Sequence, residues 1–495
     1  MAKTKPRNLK IVMFPFMAQG HIIPFVALAL RLEKITMNRD DNHLKTIISI
    51  VNTPLNIPKI RSNLPPESSI RLIELPFNSS DHGLPHDGEN FDSLPYSLVI
   101  TLLEASRTLR EPFRDMVTKI LEEEDDEESS VMVIGDFFLG WIGEVCKEIG
   151  VSSAMFSASG AFGLGCYRSV WLNLPHKETK QDRFLLHDFQ EAGEIDKTQL
   201  NYFMLEADGS DDWSVFMKKN LPGWSDFDGF LFNTVAEIDQ IGLSYFRRIT
   251  GDKPVWAVGP VLLPPGEKTR TMSAEEAVKA WLDSKPDHSV LYVCFGSMNS
   301  ISQTQMLEMA KALESCEKNF IWVVRPPTGV EVNKEFDLKE YLPEGFEERI
   351  KRSRRGVIVK KWAPQVDILS HKATCVFLSH CGWNSILESL SHGVPLLGWP
   401  MAGEQFFNSM LVEKHIGVSV EVARGKRCDI KCDEIVAKIR LVMEEESEVG
   451  REIRKKAKEV KELVKGAVED GVSGSSSVIG LEEFLSYAMV KKDNN

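Results

Sequence analysis

Short runs of apolar, often β-branched residues alternate along this chain with longer stretches whose apolar positions recur every three to four residues. In the first half the strand-like runs fall at Leu9–Phe16, Lys45–Val51, Ile70–Leu75, Val131–Gly135, Ala154–Ser157 and Gly229–Asn233. Helical spacing fills Ile22–Lys34, Leu94–Leu121 and Leu139–Ile149 between them. The second half repeats the scheme. Strands are expected at Val290–Phe295, Phe320–Val324, Gly356–Lys360, Cys375–Leu378 and Val394–Gly398. Helices are expected at Ser302–Glu314, Gln365–Ser370, Trp383–Ser391 and Gln405–His415. The chain closes on helical stretches at Cys432–Glu446, Arg451–Val468 and Ser477–Met489. Such alternation predicts an α/β fold with buried parallel sheets.

Val255–Arg270, with Pro260, Pro264, Pro265 and Gly266, breaks the pattern. It divides an N-terminal domain (residues 1–254) from a C-terminal one (271–472), with 255–270 as linker. Residues 473–495 form a terminal helix and tail that can pack back on the first domain. Two α/β domains of similar size imply a cleft, with ligands outside the carboxyl ends of the strands.

At 495 residues, with 43% hydrophobic and 26% charged positions, the chain has ample core and needs no disulfide or metal staple. A net charge of −13 speaks against binding nucleic acid or an anionic membrane over a broad surface. Part of the acidic excess lies in Glu122–Glu128, which reads as a solvated loop. The eight cysteines show no paired C-x-x-C framework and suit reduced thiols in a cytoplasmic protein. Lys3, Lys5, Arg7 and Lys10 before Ile11–Leu30 imitate a signal peptide, and Ala27-Leu28-Ala29 imitates its cleavage site. Pro15, Gln19, Gly20, His21 and Pro24 interrupt that stretch, which reads instead as strand, turn and helix. No run approaches the length of a membrane span. The chain has no G-x-G-x-x-G after its first strand, no P-loop, no H-E-x-x-H and no G-x-S-x-G.

Chemistry concentrates in Trp362–Gln405, WAPQVDILSHKATCVFLSHCGWNSILESLSHGVPLLGWPMAGEQ. A buried strand runs into Ser379-His380-Cys381-Gly382 and then a helix stopped by Gly393. Open amides and the positive dipole end at that helix start make an anion site. His380, Asn384 and Ser385 add donors there. Glu388, four residues after Asn384, shares its helix face and can accept from hydroxyls beside the anion. Trp362 can stack on a flat base. Glu404 and Gln405 can grip sugar hydroxyls, the carboxylate accepting and the amide both accepting and donating. Each residue alone fits packing or capping; the cluster at strand ends does not.

This stretch resembles the donor-binding signature of plant family 1 UDP-sugar glycosyltransferases: W-A-P-Q at its start, H-C-G-W-N-S in its middle and E-Q at its end. Gly20-His21-Ile22-Ile23-Pro24 and Phe295-Gly296-Ser297 match as well. The resemblance implies a GT-B fold, two Rossmann-like domains with parallel sheets facing a cleft, the first binding acceptor and the second UDP-sugar. It implies that Trp362 stacks on uracil, Ala363 offers backbone bonds to it, and Gln365 and Glu388 hold ribose. His380, Asn384, Ser385 and Ser297 would surround the diphosphate, and Trp383, Glu404 and Gln405 would meet the sugar. Gln405 at the last position accompanies glucose use, so UDP-glucose is the expected co-substrate.

His21 follows the first strand and Asp136 ends another, so both belong where a parallel sheet places chemistry. A histidine held by a carboxylate is a general base, and the family's catalytic pair falls on these positions. The expected reaction is inverting transfer of glucose to a hydroxyl or carboxyl of a small lipophilic metabolite, without metal, by a monomer. The rivals are an epimerase or phosphorylase on the same architecture, a glucuronosyltransferase with signal and span, a UDP-sugar-binding protein without catalysis, and a transferase using UDP-galactose or UDP-xylose. The acceptor pocket is expected in Phe77–Leu94 and Leu164–Trp224, with Phe91, Trp171, Phe203 and Met204 as candidate lining.

Overall fold

The computed structural model describes residues 8–37, 45–123, 129–263, 272–297, 299–327, 336–360, 362–469 and 474–490. The chain divides into two compact units. One comprises Met1–Ile195, Phe203–Thr269 and Ala467–Asn495; the other comprises Asp196–Tyr202 and Arg270–Gly466.

Among the described residues, the first unit carries a seven-stranded parallel sheet. Its strands are β1 (Asn8–Phe14), β2 (Lys45–Asn52), β3 (Arg71–Glu74), β4 (Ser129–Asp136), β5 (Ser152–Ser157), β8 (Gly229–Phe232) and β9 (Val255–Ala257), with a short β6 (Arg183–Phe184) and β7 (Ile195–Asp196) paired apart from it. Its order is β3-β2-β1-β4-β5-β8-β9. The near-continuous apolar runs are buried because helices cover the sheet, as parallel sheets require. β1 pairs with β4, setting Phe14 opposite Gly135. The turn after β1 and the residue that ends β4 therefore lie side by side. The C-terminal helix, Ser476–Ala488, packs on this unit, with Phe484 edge-on to Trp256 at 5.5 Å between centroids.

The second unit carries β10 (Val290–Cys294), β11 (Asn319–Val324), β12 (Gly356–Lys360), β13 (Thr374–Ser379), β14 (Leu396–Gly398) and β15 (Ser419–Glu421), ordered β12-β11-β10-β13-β14-β15 and all parallel. Cys294 stands opposite Ser379, and Val324 opposite Lys360, so the carboxyl ends of four strands are level.

Several elements depart from the sequence expectation. Leu94–Leu121 is not one helix: an α-helix at Val99–Ala105 and another at Arg110–Glu122 are joined by a 3₁₀ turn, Ser106–Leu109. The Ser106 hydroxyl donates to the Leu103 carbonyl and the Thr108 hydroxyl to that of Ala105, offering the backbone an alternative to the helical ladder. The linker is expected to open at residue 255, but Val255–Ala257 is the edge strand of the first sheet. Residues 264–270 of that linker, and 124–128 of the acidic run, lie outside the described residues. The segment expected as acceptor loops between Leu164 and Trp224 contains most of one helix, Ala161–Asn173, and all of another, Asp212–Trp224.

Candidate active site

In the first unit, the turn between β1 and the helix Gln19–Met37 is held from three sides. The Asn52 side-chain amide donates to the Pro15 carbonyl at 3.0 Å, the Phe91 amide donates to the Met17 carbonyl at 2.8 Å, and the Gln19 amide donates to the Asp92 carboxylate at 2.7 Å. Asp92 thus places a negative charge at a helix N-terminus, where the dipole favours it. His21 lies in the first turn of this helix. Its Nδ1 is 2.8 Å from Asp136 Oδ2. Asp136 is fully buried and His21 is 16% exposed. The other carboxylate oxygen, Oδ1, accepts from the Phe138 amide at 3.0 Å, so Asp136 has a single orientation. A carboxylate on Nδ1 fixes the proton there and makes Nε2 the basic nitrogen. The rings of Phe16, Phe137 and Phe138 surround the imidazole at 5.2–5.7 Å.

Of the candidate acceptor residues, Trp171 and Met204 are buried, and Trp171 stacks on Trp213. Phe203 stacks on Tyr96 at 5.1 Å, and Phe91 packs edge-on to Phe16.

In the second unit, β13 ends at Ser379 and the chain turns through His380, Cys381 and Gly382 into the helix Trp383–His392. Cys381 is left-handed, with φ of 62°, an arrangement that costs a non-glycine residue about 1–3 kcal/mol. Two bonds hold it: the Cys381 amide donates to Ser379 Oγ, and the Asn408 side-chain amide donates to the Cys381 carbonyl. Gly382 stands at the N-cap and has no side chain of its own to bond the first-turn amides. These amides can meet an anion.

The His380 ring lies between two glycines. A Cβ on Gly296 would come within 2.7 Å of the ring, and one on Gly382 within 2.4 Å of Nε2. His380 is 9% exposed, and its Nδ1 is buried without a hydrogen-bond partner. Burial, reinforced by the charge of Arg325, lowers its pKa to about 4, so the ring is neutral near pH 7.

The structure brings Gln365, Ser385 and Glu388 into one bonded group. Gln365 Nε2 donates to Ser385 Oγ at 3.0 Å and to Glu388 Oε2 at 2.6 Å, while its Oε1 accepts from the Tyr292 hydroxyl at 3.2 Å. Trp362 is 48% exposed, with Ala363 buried next to it. Trp383 is buried, Asn384 half-buried and Ser297 exposed. Glu404 and Gln405 begin the helix Gln405–Met410. Gln405 departs from the expected dual role. Its Oε1 accepts the Met401 and Ala402 amides, each at 3.0 Å, which leaves Nε2 as the group with which it could meet a ligand. Glu404 Oε1 accepts from Asn408 at 3.3 Å. Sequence reasoning missed Tyr292, Asn408, Asn52 and Asp92. Each acts through a partner distant in sequence, and none belongs to a local motif. Among the described residues, no group of three or more His, Cys, Asp or Glu side chains is placed to hold a metal ion.

Two α/β units with parallel sheets, the first with a histidine bonded to a buried aspartate and the second with a helix start whose N-cap is glycine, place the protein in the GT-B class. Comparison with known proteins gives the family. Residues 268–447 match the family described as UDP-glucoronosyl and UDP-glucosyl transferase. UDP-glycosyltransferase 92A1 of Arabidopsis thaliana is 82% identical over the full length of both chains. Crocetin glucosyltransferase 3 of Crocus sativus is 39% identical, covering 94% of this chain and 96% of its own. A solved Medicago truncatula structure complexed with UDP-glucose is 25% identical with a TM-score of 0.78, covering 98% of this chain and 99% of that one. The chain belongs to the plant family 1 UDP-glycosyltransferases and is an enzyme that transfers a glycosyl group from a UDP-sugar to a small molecule.

Proposed function

We propose that the enzyme is an inverting glucosyltransferase that moves glucose from UDP-glucose to a hydroxyl or carboxyl group of a small lipophilic plant metabolite. The observation that carries the mechanism is the 2.8 Å bond between His21 Nδ1 and the buried Asp136 carboxylate. With Nδ1–H bonded to Asp136, Nε2 takes the proton of the acceptor hydroxyl as its oxygen forms a bond to the anomeric carbon. The bond from that carbon to the diphosphate oxygen breaks on the opposite face, and UDP leaves with the electron pair. The α-linked donor therefore becomes a β-glycoside. The Asp136 carboxylate stabilises the imidazolium that forms. In the second unit, Trp362 and Ala363 receive uracil, Gln365 and Glu388 receive ribose, and His380, Asn384, Ser385 and Ser297 receive the diphosphate. Trp383, Glu404 and Gln405 receive the sugar.

Glucose is favoured by the Glu404–Gln405 pair, one group accepting and the other donating to neighbouring hydroxyls. No arginine stands in Trp362–Gln405 to meet a uronic acid. Amides at the Gly382 turn and polar side chains supply what a metal would, so the reaction proceeds without one. All eight cysteines are free thiols, which suits the cytoplasm. Among the described residues no helix is long and apolar enough to cross a membrane.

The test is purified enzyme with UDP-glucose, UDP-galactose, UDP-xylose and UDP-glucuronic acid against a panel of plant aglycones, read by mass spectrometry. The anomeric configuration of the product is then determined by NMR. UDP-glucose should give the highest initial rate and a β-glycoside. A clear preference for another donor overturns the glucose assignment, and an α-linked product overturns the single displacement.

A further inference from the structure

Arg325 immediately follows β11, outside the Trp362–Gln405 signature. The sheet register sets its position. Val293 of β10 lies opposite Trp322 of β11, and Cys294 opposite Ser379 of β13. Ser297, Arg325 and His380 therefore leave three adjacent strands at the same end of the sheet. Arg325 is half-buried, and its Nε is buried without a hydrogen-bond partner. The guanidinium makes no hydrogen bond or ion pair among the described residues. Its charge nevertheless acts on Tyr292, Cys294 and His380. Glu388, whose charge acts on the same Tyr292 and Cys294, is bonded by Gln365 and not by Arg325.

A guanidinium withdrawn from water without a counter-ion is costly unless an anion arrives to meet it. His380 Nδ1 is also buried without a partner at this end of the sheet. A neutral His380 can offer a hydrogen bond but no charge, while a diphosphate brings negative charge that grows as the glycosidic bond breaks. Lys426 also acts on His380, but burial lowers its own ammonium pKa. A planar, permanently charged fork suits phosphate oxygens better than a desolvated ammonium.

We propose that Arg325 is the fixed positive charge that binds the diphosphate of the UDP-sugar and stabilises the departing UDP. The proposal rests on the assignment of the diphosphate to the His380–Gly382 turn. The test uses the full-length enzyme, with calorimetric titration of uridine, UMP and UDP into wild type, Arg325→Gln and Arg325→Lys. Circular dichroism melts of each variant check the fold. Arg325→Gln should weaken UDP by about tenfold or more while leaving uridine nearly unchanged, and Arg325→Lys should recover part of the loss. The kcat with UDP-sugar should fall, and the KM for acceptor should stay constant. Unchanged UDP affinity in Arg325→Gln overturns the proposal, as does an equal loss for uridine and UDP. Wild-type enzyme that binds UDP no better than uridine would instead overturn the diphosphate assignment itself.

Discussion

Replacing His380 with asparagine removes a titrating group whose environment is closed on both sides. In the unfolded chain His380 takes a proton near its ordinary value of 6.5; in the fold, burial and Arg325 hold that value at about 4. The folded pKa is depressed and the group is a base, so the unfolded state binds the proton first as pH falls. Its contribution favours folding above pH 6.5 and is lost progressively as pH drops toward 4. Between pH of about 7.5 and about 5, that linkage amounts to about 2 kcal/mol at 1.36 kcal/mol per tenfold change in proton affinity. The assay is urea unfolding of the full chain, followed by hydrogen-exchange mass spectrometry over residues 374–398, because a chain of two units need not unfold in one step. Wild type should lose about 2 kcal/mol more than His380→Asn across that interval. UDP should reduce the difference, since a bound diphosphate favours the imidazolium. Parallel pH dependence in wild type and variant would refute the claim that His380 is held neutral by its surroundings.

Other substitutions separate chemistry from binding. His21→Ala should lower kcat by about 10²–10⁴ in steady-state assays and leave the UDP dissociation constant unchanged; Asp136→Asn should also be slow, since it loses the charge that stabilises the imidazolium. Gly382→Ala puts a methyl within 2.4 Å of His380 Nε2, so the ring must move and UDP affinity measured by calorimetry should fall. Gln365→Leu leaves the Tyr292 hydroxyl and Glu388 without their shared partner; it should cost about 1–3 kcal/mol of stability by denaturant titration and weaken uridine and UDP alike. Activity after EDTA treatment should match the untreated enzyme, and restoration only by added divalent metal would refute the metal-free reaction.

The elements of this fold that sequence revealed are those with a strong period. Gly356–Lys360 and Gln365–Ser370 have the expected bounds, and most other strands differ by one or two residues. Val255–Ala257 and Ser419–Glu421 escaped because three residues carry no readable period. The single helix expected at Leu94–Leu121 was a misreading of period alone, since the hydroxyls of Ser106 and Thr108 divert the backbone without altering the apolar spacing. The positions of His21, Asp136, His380 and Gln405 were legible because each lies beside a strand end or a helix start, and that of Glu388 because it follows Asn384 by four residues on one helix. Tyr292, Asn408, Asp92 and Arg325 were not. Their significance comes from register between strands or from a side chain meeting a distant loop, and a linear pattern records neither.

The turn from Ser379 to Gly382, to which the proposed function assigns the diphosphate, contains a strained residue. A non-glycine residue at φ of 62° is tolerated at Cys381 because Ser379 and Asn408 bond its amide and carbonyl. Asn408 also donates to Glu404, so one buried amide side chain ties the Cys381 turn to the start of the helix Gln405–Met410. Replacing Asn408 with leucine should therefore disturb two functions that lie 27 and 4 residues away from it in sequence. UDP affinity should fall because the turn relaxes, and discrimination between UDP-glucose and UDP-galactose should narrow because Glu404 loses its support. If Asn408→Leu weakened UDP binding while leaving the donor preference intact, Glu404 would be oriented by something other than Asn408, and the coupling of turn and helix start would be wrong.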